Sequence, residues 1–173
     1  MTAGVGDDSA QRVDAVRRAV AAVQDPEIPV VTIADLGILR EVMLEGDEVV
    51  VCITPTYSGC PAMHVIREEI SAAVDRAGLG RVTVRTVLSP AWTTDWITPH
   101  GRERLREYGI APPPQVAHAD GVVPITFFRS APVPCPRCGS TATSELAAFG
   151  STACKSLWRC DSCREPFDCF KAH

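Results

Sequence analysis

The sequence has no excess of basic residues and no long hydrophobic run. Residues 1–130 carry 12 basic and 17 acidic side chains, and residues 131–173 carry 5 and 4. Nucleic-acid-binding domains need a basic excess, so this balance argues against that class. No apolar run approaches the roughly 18 residues that a membrane helix needs. The acidic, polar start of the chain also lacks the apolar region of a signal peptide, so we expect a cytoplasmic protein.

Two common catalytic patterns are missing as well. The sequence shows no Ser/His/Asp ordering and no glycine-rich phosphate loop, which argues against a hydrolase or a transferase. Whether the chain is an enzyme stays open at this point.

Cysteine, by contrast, is abundant: eight residues, four of them in two Cys-x-x-Cys pairs with 21 residues between the pairs. In a cytoplasmic chain this spacing favours metal binding over disulfides. Four thiolates on two short turns suit tetrahedral zinc, which we predict as a structural ion, with iron or an iron–sulfur cluster as the alternative and a redox dithiol as the third possibility. The predicted ligands are Cys135, Cys138, Cys160 and Cys163.

The remaining cysteines have different expected roles. Cys52 lies in an apolar strand and is predicted to be a core residue. Cys154, between the pairs, is either a spare thiol near the metal or a core residue of a hairpin. Cys169 is interpreted as incidental, and the terminal His173 is not needed as a ligand because four cysteines already complete a tetrahedron.

Hydrophobic periodicity predicts an α+β fold with the element order α-β-β-α-β-α. The expected elements are Ser9–Gln24, Ile38–Leu44, Glu48–Thr54, Pro61–Ala77, Arg81–Leu88 and Pro99–Tyr108. Pro-rich sequence follows. We therefore predict a first domain at residues 8–110, a stiff connector at 111–132 and a small zinc-ribbon-like module at 133–173.

Cys60 is the second chemical feature, because it stands directly before the predicted second helix. Pro61 suits a first helical position, which places Cys60 at or near the N-cap. Free N–H groups and the helix dipole stabilise a thiolate there, so we expect an acidic, nucleophilic thiol that ligates iron, attacks an electrophile or exchanges disulfides. The alternative is a small residue at a tight turn. Thr54 and other hydroxyl residues lie close in sequence.

A third feature is the loop Asp25-Pro26-Glu27-Ile28-Pro29. The two prolines restrict the backbone, so the two carboxylates are held in place. Asp25 and Glu27 are therefore either metal ligands, residues that orient a ligand, or simply part of a helix stop. Asp35 is expected to cap a turn.

These motifs resemble a known family. The Asp25–Pro29 loop, Asp35-Leu36-Gly37-Ile38 and the segment from Thr54 to Pro61 are similar to the metal–sulfur cluster assembly (SufT-like) domain over about residues 10–90. Three further blocks narrow the match to the D subunits of the bacterial phenylacetyl-CoA epoxidase system: Ser89–Trp96, Arg102–Ile110 and the cysteine-rich tail.

The resemblance implies a non-catalytic maturation factor in phenylacetate degradation. It implies that Cys60 is the functional thiol, which transiently carries iron or a cluster, with Asp25 and Glu27 close to it. The implied partners are the epoxidase subunits, either the di-iron oxygenase or the flavin and iron–sulfur reductase, with no nucleic acid and no membrane. Two other functions stay open: an iron-binding electron-transfer component and a structural docking subunit.

Histidines and tryptophans give weaker signals. His64 is either a base beside Cys60 or an exposed residue, and the second is favoured. His100 and His118 are expected to face solvent. Trp92 and Trp96 suggest either a docking surface or a cap over the core.

Overall fold

The computed structural model describes residues 5–57, 59–113 and 133–171, with side chains from residue 8 onward. The described chain forms two compact units, Met1–Gly101 and Arg102–His173. Its elements are α1 (Val5–Ala21), β1 (Leu39–Glu45), β2 (Glu48–Ile53), α2 (Ala62–Arg76), β3 (Val82–Thr86), a 3₁₀ turn (Thr94–Trp96), α3 (Pro99–Tyr108), β4 (Ile110–Ala111), β5 (Thr143–Ala147), β6 (Lys155–Cys160) and β7 (Pro166–Phe170).

The first unit has a three-stranded sheet in the order β1-β2-β3. β1 and β2 form an antiparallel hairpin that turns at Gly46 (φ +61°), and β3 runs parallel to β2 after the crossover helix α2. α1 packs against β1 and α2, and α2 packs against β3. The predicted α+β class and element order are confirmed, because each element carries its own local periodicity.

The largest difference in the first unit is at α1, which begins and ends earlier than the predicted Ser9–Gln24. Gln24 leaves the helix to form an isolated antiparallel bridge with Thr32. The chain then returns through hydrogen bonds from Asp25 N–H to Val31 O (3.0 Å) and from Ile33 N–H to Val23 O (2.9 Å). The Asp25 loop is thus a closed, hydrogen-bonded excursion between α1 and β1.

The core of the first unit lies between the helices and one face of the sheet. The helices contribute side chains spaced three or four residues apart, and the central strand contributes every second residue. Val23, just after α1, and Val42 of β1 join them. The fully or almost fully buried residues are Val16, Val20, Val23, Ile66, Ile70, Val74, Val42, Val49, Val51 and Ile53. Burying each such side chain stabilises the fold by about 1.5–3 kcal/mol.

The opposite face of β2 carries Val50 and Cys52, which are also buried. Arg85 of β3 donates two hydrogen bonds to the carboxylate of Glu45 on β1, at 2.6 and 2.8 Å, and so spans the central strand. Burial raises the pKa of the Cys52 thiol. The prediction that Cys52 is a core residue is confirmed.

The segment after β3 returns to the loop before β1. Trp92 is buried, and its indole Nε1 donates to the carbonyl of Leu36 at 2.8 Å. The guanidinium carbon of Arg40 lies 3.3 Å from the centre of the Trp96 ring. Of the two expectations for the tryptophans, Trp92 therefore fits the cap over the core.

The second unit contains a four-stranded sheet in the order β4-β7-β6-β5. Three antiparallel strands form a meander, and the short β4 joins β7 in parallel through Ile110–Asp168 and Ala111–Cys169. The two units divide inside α3, and the predicted domain limits at residues 110 and 133 stay predictions. A two-residue strand that pairs with residues almost sixty positions away leaves no local sequence signal. Of the predicted connector 111–132, residues 114–132 lie outside the described residues.

Candidate functional site

The four predicted ligands converge in the second unit. The Sγ atoms of Cys135, Cys138, Cys160 and Cys163 all lie within 4.8 Å of one another. Cys135 Sγ lies 3.8 Å from Cys163 Sγ, and Cys138 Sγ lies 3.6 Å from Cys160 Sγ. A tetrahedron of zinc–sulfur bonds of about 2.3 Å has sulfur–sulfur edges of about 3.8 Å. The donor set and its spacing therefore fit a single tetrahedral ion.

The two cysteine turns share one backbone design. In each, the first cysteine donates its N–H to the carbonyl five residues ahead, and its carbonyl accepts from the N–H four residues ahead. These bonds are Cys135 N–H to Ser140 O (2.9 Å), Gly139 N–H to Cys135 O (2.9 Å), Cys160 N–H to Glu165 O (3.0 Å) and Arg164 N–H to Cys160 O (2.9 Å). The residue after the second cysteine has a positive φ in both turns: +74° at Gly139 and +68° at Arg164. Backbone hydrogen bonds within the two matching turns therefore fix the positions of the cysteine side chains.

Backbone N–H groups also act on the sulfur charges. Hydrogen bonds from the N–H of Cys163 and then Ser162 lower the pKa of the Cys160 thiol to about 6. The N–H groups of Ser140 and Glu165 lower the pKa values of Cys138 and Cys163, but burial and neighbouring thiols outweigh them and leave both raised. Four sulfurs this close would repel one another as thiolates, and a divalent cation held by all four would supply the compensating charge.

The two other cysteines of this unit lie outside the cluster. Cys154 is buried at the start of β6, with its Sγ 3.0 Å from the Thr152 hydroxyl, so its role as a hairpin core residue is the one that the structure supports. Cys169 is buried with Trp158 and Phe167, and burial raises the pKa of its thiol to about 11. The prediction of an incidental Cys169 is wrong: it is a core residue of the ribbon.

Cys60 lies at the start of α2, as its position before Pro61 predicted. Its side chain is half-buried. Pro61 takes the N-cap position and the helix begins at Ala62, one residue later than expected. The N–H groups of Ala62 and Met63 point at the Cys60 sulfur and lower its pKa, yet burial and the nearby carboxylates outweigh them, and the pKa is raised. The prediction of an unusually acidic thiol is therefore wrong, because burial cannot be seen in the helix-start pattern.

Asp25 and Glu27 act electrostatically on the Cys60 thiol, which places these carboxylates near it in the fold. Asp25 is buried, and its Oδ1 accepts from the N–H of Glu27 (2.9 Å) and of Ile28 (2.8 Å). The Asp25 carboxylate thus stabilises the loop conformation that positions the Glu27 side chain. The role of either residue in metal handling stays a prediction, as does that of Thr54, which is buried at the end of β2.

A cavity of about 520 Å³ lies beside this loop, between the end of α1 and one face of α2. Asp25 and Pro26 form part of its wall, together with Val65 and the Glu69–Arg76 ion pair. The loop that acts on Cys60 therefore also lines this groove.

Among the histidines, His64 is exposed and pairs with Glu68 at 3.2 Å, which fits the favoured expectation. His100 is mostly exposed, but its Nδ1 lies 2.9 Å from Asp35 Oδ1, a partner that the sequence analysis missed. Asp35 also accepts from the Thr32 N–H, which confirms that it caps a turn. The sequence Thr98-Pro99-His100 around the start of α3 was the signal that could have indicated a polar contact here. His118 and His173 lie outside the described residues.

The chemistry of Cys60 gives a pH prediction. Only a thiolate attacks iodoacetamide, so alkylation of Cys60 at pH 7 will be slower than in the same chain unfolded in urea. Because the folded pKa is raised, the rate will still be rising as the pH passes the ordinary thiol value of 9.0. Mass spectrometry of the Cys60 peptide measures the rate, and a plateau well below pH 9.0 would contradict the raised pKa.

Comparison with known proteins agrees with both parts of the chain. Residues 13–87 match the family described as iron-sulfur cluster assembly protein, and residues 120–171 match the PaaD zinc beta ribbon domain. The putative D subunit of the 1,2-phenylacetyl-CoA epoxidase of Escherichia coli is 53% identical over 150 residues, covering 86% of each chain. An Fe-S protein maturation auxiliary factor of Porphyromonas gingivalis is 33% identical over 54% of this chain and 87% of its own.

A solved structure supports the fold of the first unit. The domain of unknown function DUF59 from Bacillus anthracis covers 58% of this chain and 96% of its own, with a TM-score of 0.53 and 21% identity. The described residues contain no helix that is long and apolar enough to cross a membrane.

The chain thus combines a domain that matches the iron-sulfur cluster assembly family with a ribbon that carries a four-cysteine cluster. Within that class, the chain belongs to the PaaD family, the D subunits of phenylacetyl-CoA epoxidase systems.

Proposed function

We propose that the chain is an accessory maturation factor for a phenylacetyl-CoA epoxidase in aerobic phenylacetate degradation. It assists assembly of an iron–sulfur or di-iron centre in a partner subunit and does not carry out epoxidation. Its relatives support this role, because one is a putative epoxidase subunit and another is a maturation factor of iron–sulfur proteins. The oxygenase and reductase subunits are the proposed partners.

The placement of Cys60 carries the proposal. Its thiol is half-buried directly before α2, where burial and the Glu27 and Asp25 carboxylates raise its pKa and the N–H groups of Ala62 and Met63 lower it by less. In this function the iron or cluster is cargo rather than a resident cofactor. A soft thiolate binds iron or a cluster, and the raised thiol pKa lets a proton compete for the sulfur when the cargo leaves.

We further infer that the four-cysteine cluster holds structural zinc. Four protein ligands close a tetrahedral site and leave no position for substrate, and the ion has no redox chemistry of its own. A unit of this size has a small core, so the ion contributes much of its folding free energy. We infer a cytoplasmic location, because a reducing compartment keeps the four convergent cysteines available to a metal.

Replacement of Cys60 by serine tests the proposal. In a strain that lacks the native gene product, Cys60→Ser will abolish growth on phenylacetate, because an alcohol does not replace a thiolate as a ligand for iron. Epoxidase isolated from that strain will contain less iron than wild type.

The matched control is His64→Ala, one turn further along α2, which removes only an exposed side chain paired with Glu68. It will grow normally. Full growth of the Cys60→Ser strain, with the protein present at the wild-type level, would refute a working role for this thiol.

A further inference from the structure

The segment from Trp92 to Gly101 lies outside both matched ranges, 13–87 and 120–171. It nevertheless packs tightly against the assembly domain. Trp92 donates to the carbonyl of Leu36, and Trp96 approaches Gly37 so closely that a Cβ there would lie 2.5 Å from the Trp96 Cβ. Gly101 approaches Asp35 in the same way, because a Cβ added at Gly101 would lie 2.8 Å from the Asp35 carbonyl oxygen. The added segment therefore leaves the loop around Asp35 little freedom to move.

Asp35 is the centre of this contact. Its backbone carbonyl accepts from the Thr98 N–H at 2.9 Å, and its Oδ1 accepts from the Thr98 hydroxyl at 3.0 Å. His100 Nδ1 lies 2.9 Å from the same oxygen. Burial raises the pKa of Asp35, but hydrogen bonds from His100, Thr32 and Thr98 outweigh it and lower that pKa, so the carboxylate is charged at neutral pH.

From Asp35 the contacts continue to the loop beside Cys60. Asp35 Oδ2 accepts from the N–H (3.1 Å) and hydroxyl (3.0 Å) of Thr32, and Thr32 pairs with Gln24 in the isolated bridge. The next residue, Asp25, donates its N–H to Val31 and fixes the N–H of Glu27 with its carboxylate. Hydrogen bonds and the adjoining peptide units thus link the added segment to the loop that carries Asp25 and Glu27.

We propose that Trp92–Gly101 is a brace for the Cys60 site, and that Thr98 and Asp35 are its positioning residues. They hold the Asp25–Glu27 loop, whose Asp25 and Pro26 share a cavity wall with Val65 of α2, beside the start of that helix and so keep the sulfur half-buried. This inference rests on the proposed function only in taking Cys60 as the working thiol. Loss of the brace will leave the thiol in place and expose it to reagents.

The matched variants are Thr98→Val and Thr98→Ser, compared in the purified, zinc-loaded full chain. Valine keeps the shape of the side chain but loses the hydroxyl that donates to Asp35 and accepts the Gly101 N–H. Serine keeps both hydrogen bonds. We expect iodoacetamide to alkylate Cys60 about 3- to 10-fold faster in Thr98→Val, which corresponds to about 0.6–1.4 kcal/mol and lies within the range of couplings through packed networks. Thr98→Ser will stay within about twofold of wild type, which a role in shape alone would not predict.

Two further variants keep the test decisive. Arg104→Ala removes a surface side chain that pairs with Glu107 on the same helix, and its Cys60 rate will equal wild type. His100→Ala removes one bond from a largely exposed side chain, and it will raise the rate about two- to threefold. If Thr98→Val does not fold, His100→Ala decides the question.

Unchanged Cys60 alkylation in Thr98→Val or His100→Ala would overturn the brace, as would an equal increase in Arg104→Ala. The measurement needs no epoxidase. Full growth of a Cys60→Ser strain would therefore refute the proposed function while leaving the alkylation result intact.

Discussion

Cys160→Ser will unfold the ribbon while residues 5–101 stay folded. Cys160 is fully buried, and its sulfur lies 3.6 Å from that of Cys138, so the serine hydroxyl replaces one of four convergent thiolates. Structural zinc contributes about 10–16 kcal/mol of apparent binding free energy in small zinc-folded peptides, and that free energy is folding free energy. The small core around Trp158 and Phe167 does not offset such a loss.

Hydrogen exchange followed by mass spectrometry measures this result on the full chain. Amides of β6 and β7 will exchange at once in Cys160→Ser, whereas amides of β2 and α2 will keep their wild-type protection. Metal analysis of samples prepared without oxygen will find about one zinc per wild-type chain and no sulfide, and much less zinc in the variant. Iron with a visible absorption band in the wild-type protein would instead identify an electron-transfer centre.

Cys154→Ser is the matched control, since Cys154 is a buried cysteine of the same unit outside the cluster. Its sulfur already lies 3.0 Å from the Thr152 hydroxyl, so a serine there has a hydrogen-bond partner. We expect a loss of about 1 kcal/mol and unchanged zinc content. Wild-type protection of β6 in Cys160→Ser would show that the ribbon folds without its complete ligand set.

The sequence predicted what is encoded locally. Helices and strands follow from short-range periodicity, and the four ligands follow from the spacing of the cysteine pairs, which by itself defines two matching turns. Cys60 was placed at the start of α2 because Pro61 marks that point in the chain. Each of these features depends on residues a few positions apart.

Features that depend on distant parts of the chain were not predictable. The pairing of Ala111 with Cys169 adds β4 to the sheet of the second unit. The burial of Cys60 reverses the expected direction of its pKa shift. The role of Asp35 depends on Thr98 and His100, more than sixty positions later. The sequence contains both the Asp35 turn and the Trp92–Gly101 segment, but only the fold shows that hydrogen bonds join them.

Gly37→Ala will be the most damaging small substitution in the first unit. Gly37 has φ +69°, and an added Cβ would lie 2.5 Å from Trp96 Cβ and 2.7 Å from the Trp96 carbonyl oxygen. Neither atom belongs to a flexible side-chain end, so the backbone of one segment has to move. The movement also displaces the Trp96 ring from the Arg40 guanidinium. We expect a loss of about 3–5 kcal/mol in the free energy of unfolding of this unit, the range of the most damaging core substitutions.

Gly46→Ala separates the two causes of that loss. Gly46 has nearly the same backbone angle, φ +61°, but no atom within 4 Å of an added Cβ. It will therefore lose only the conformational term of about 1–2 kcal/mol. Hydrogen exchange of the β2 amides measures both variants in the full chain. Equal losses would mean that the Trp92–Gly101 segment yields to an added methyl group, and a segment that yields there does not act as a brace. A larger loss at Gly37 means that the contact between the two motifs is rigid, as positioning of the Cys60 loop requires.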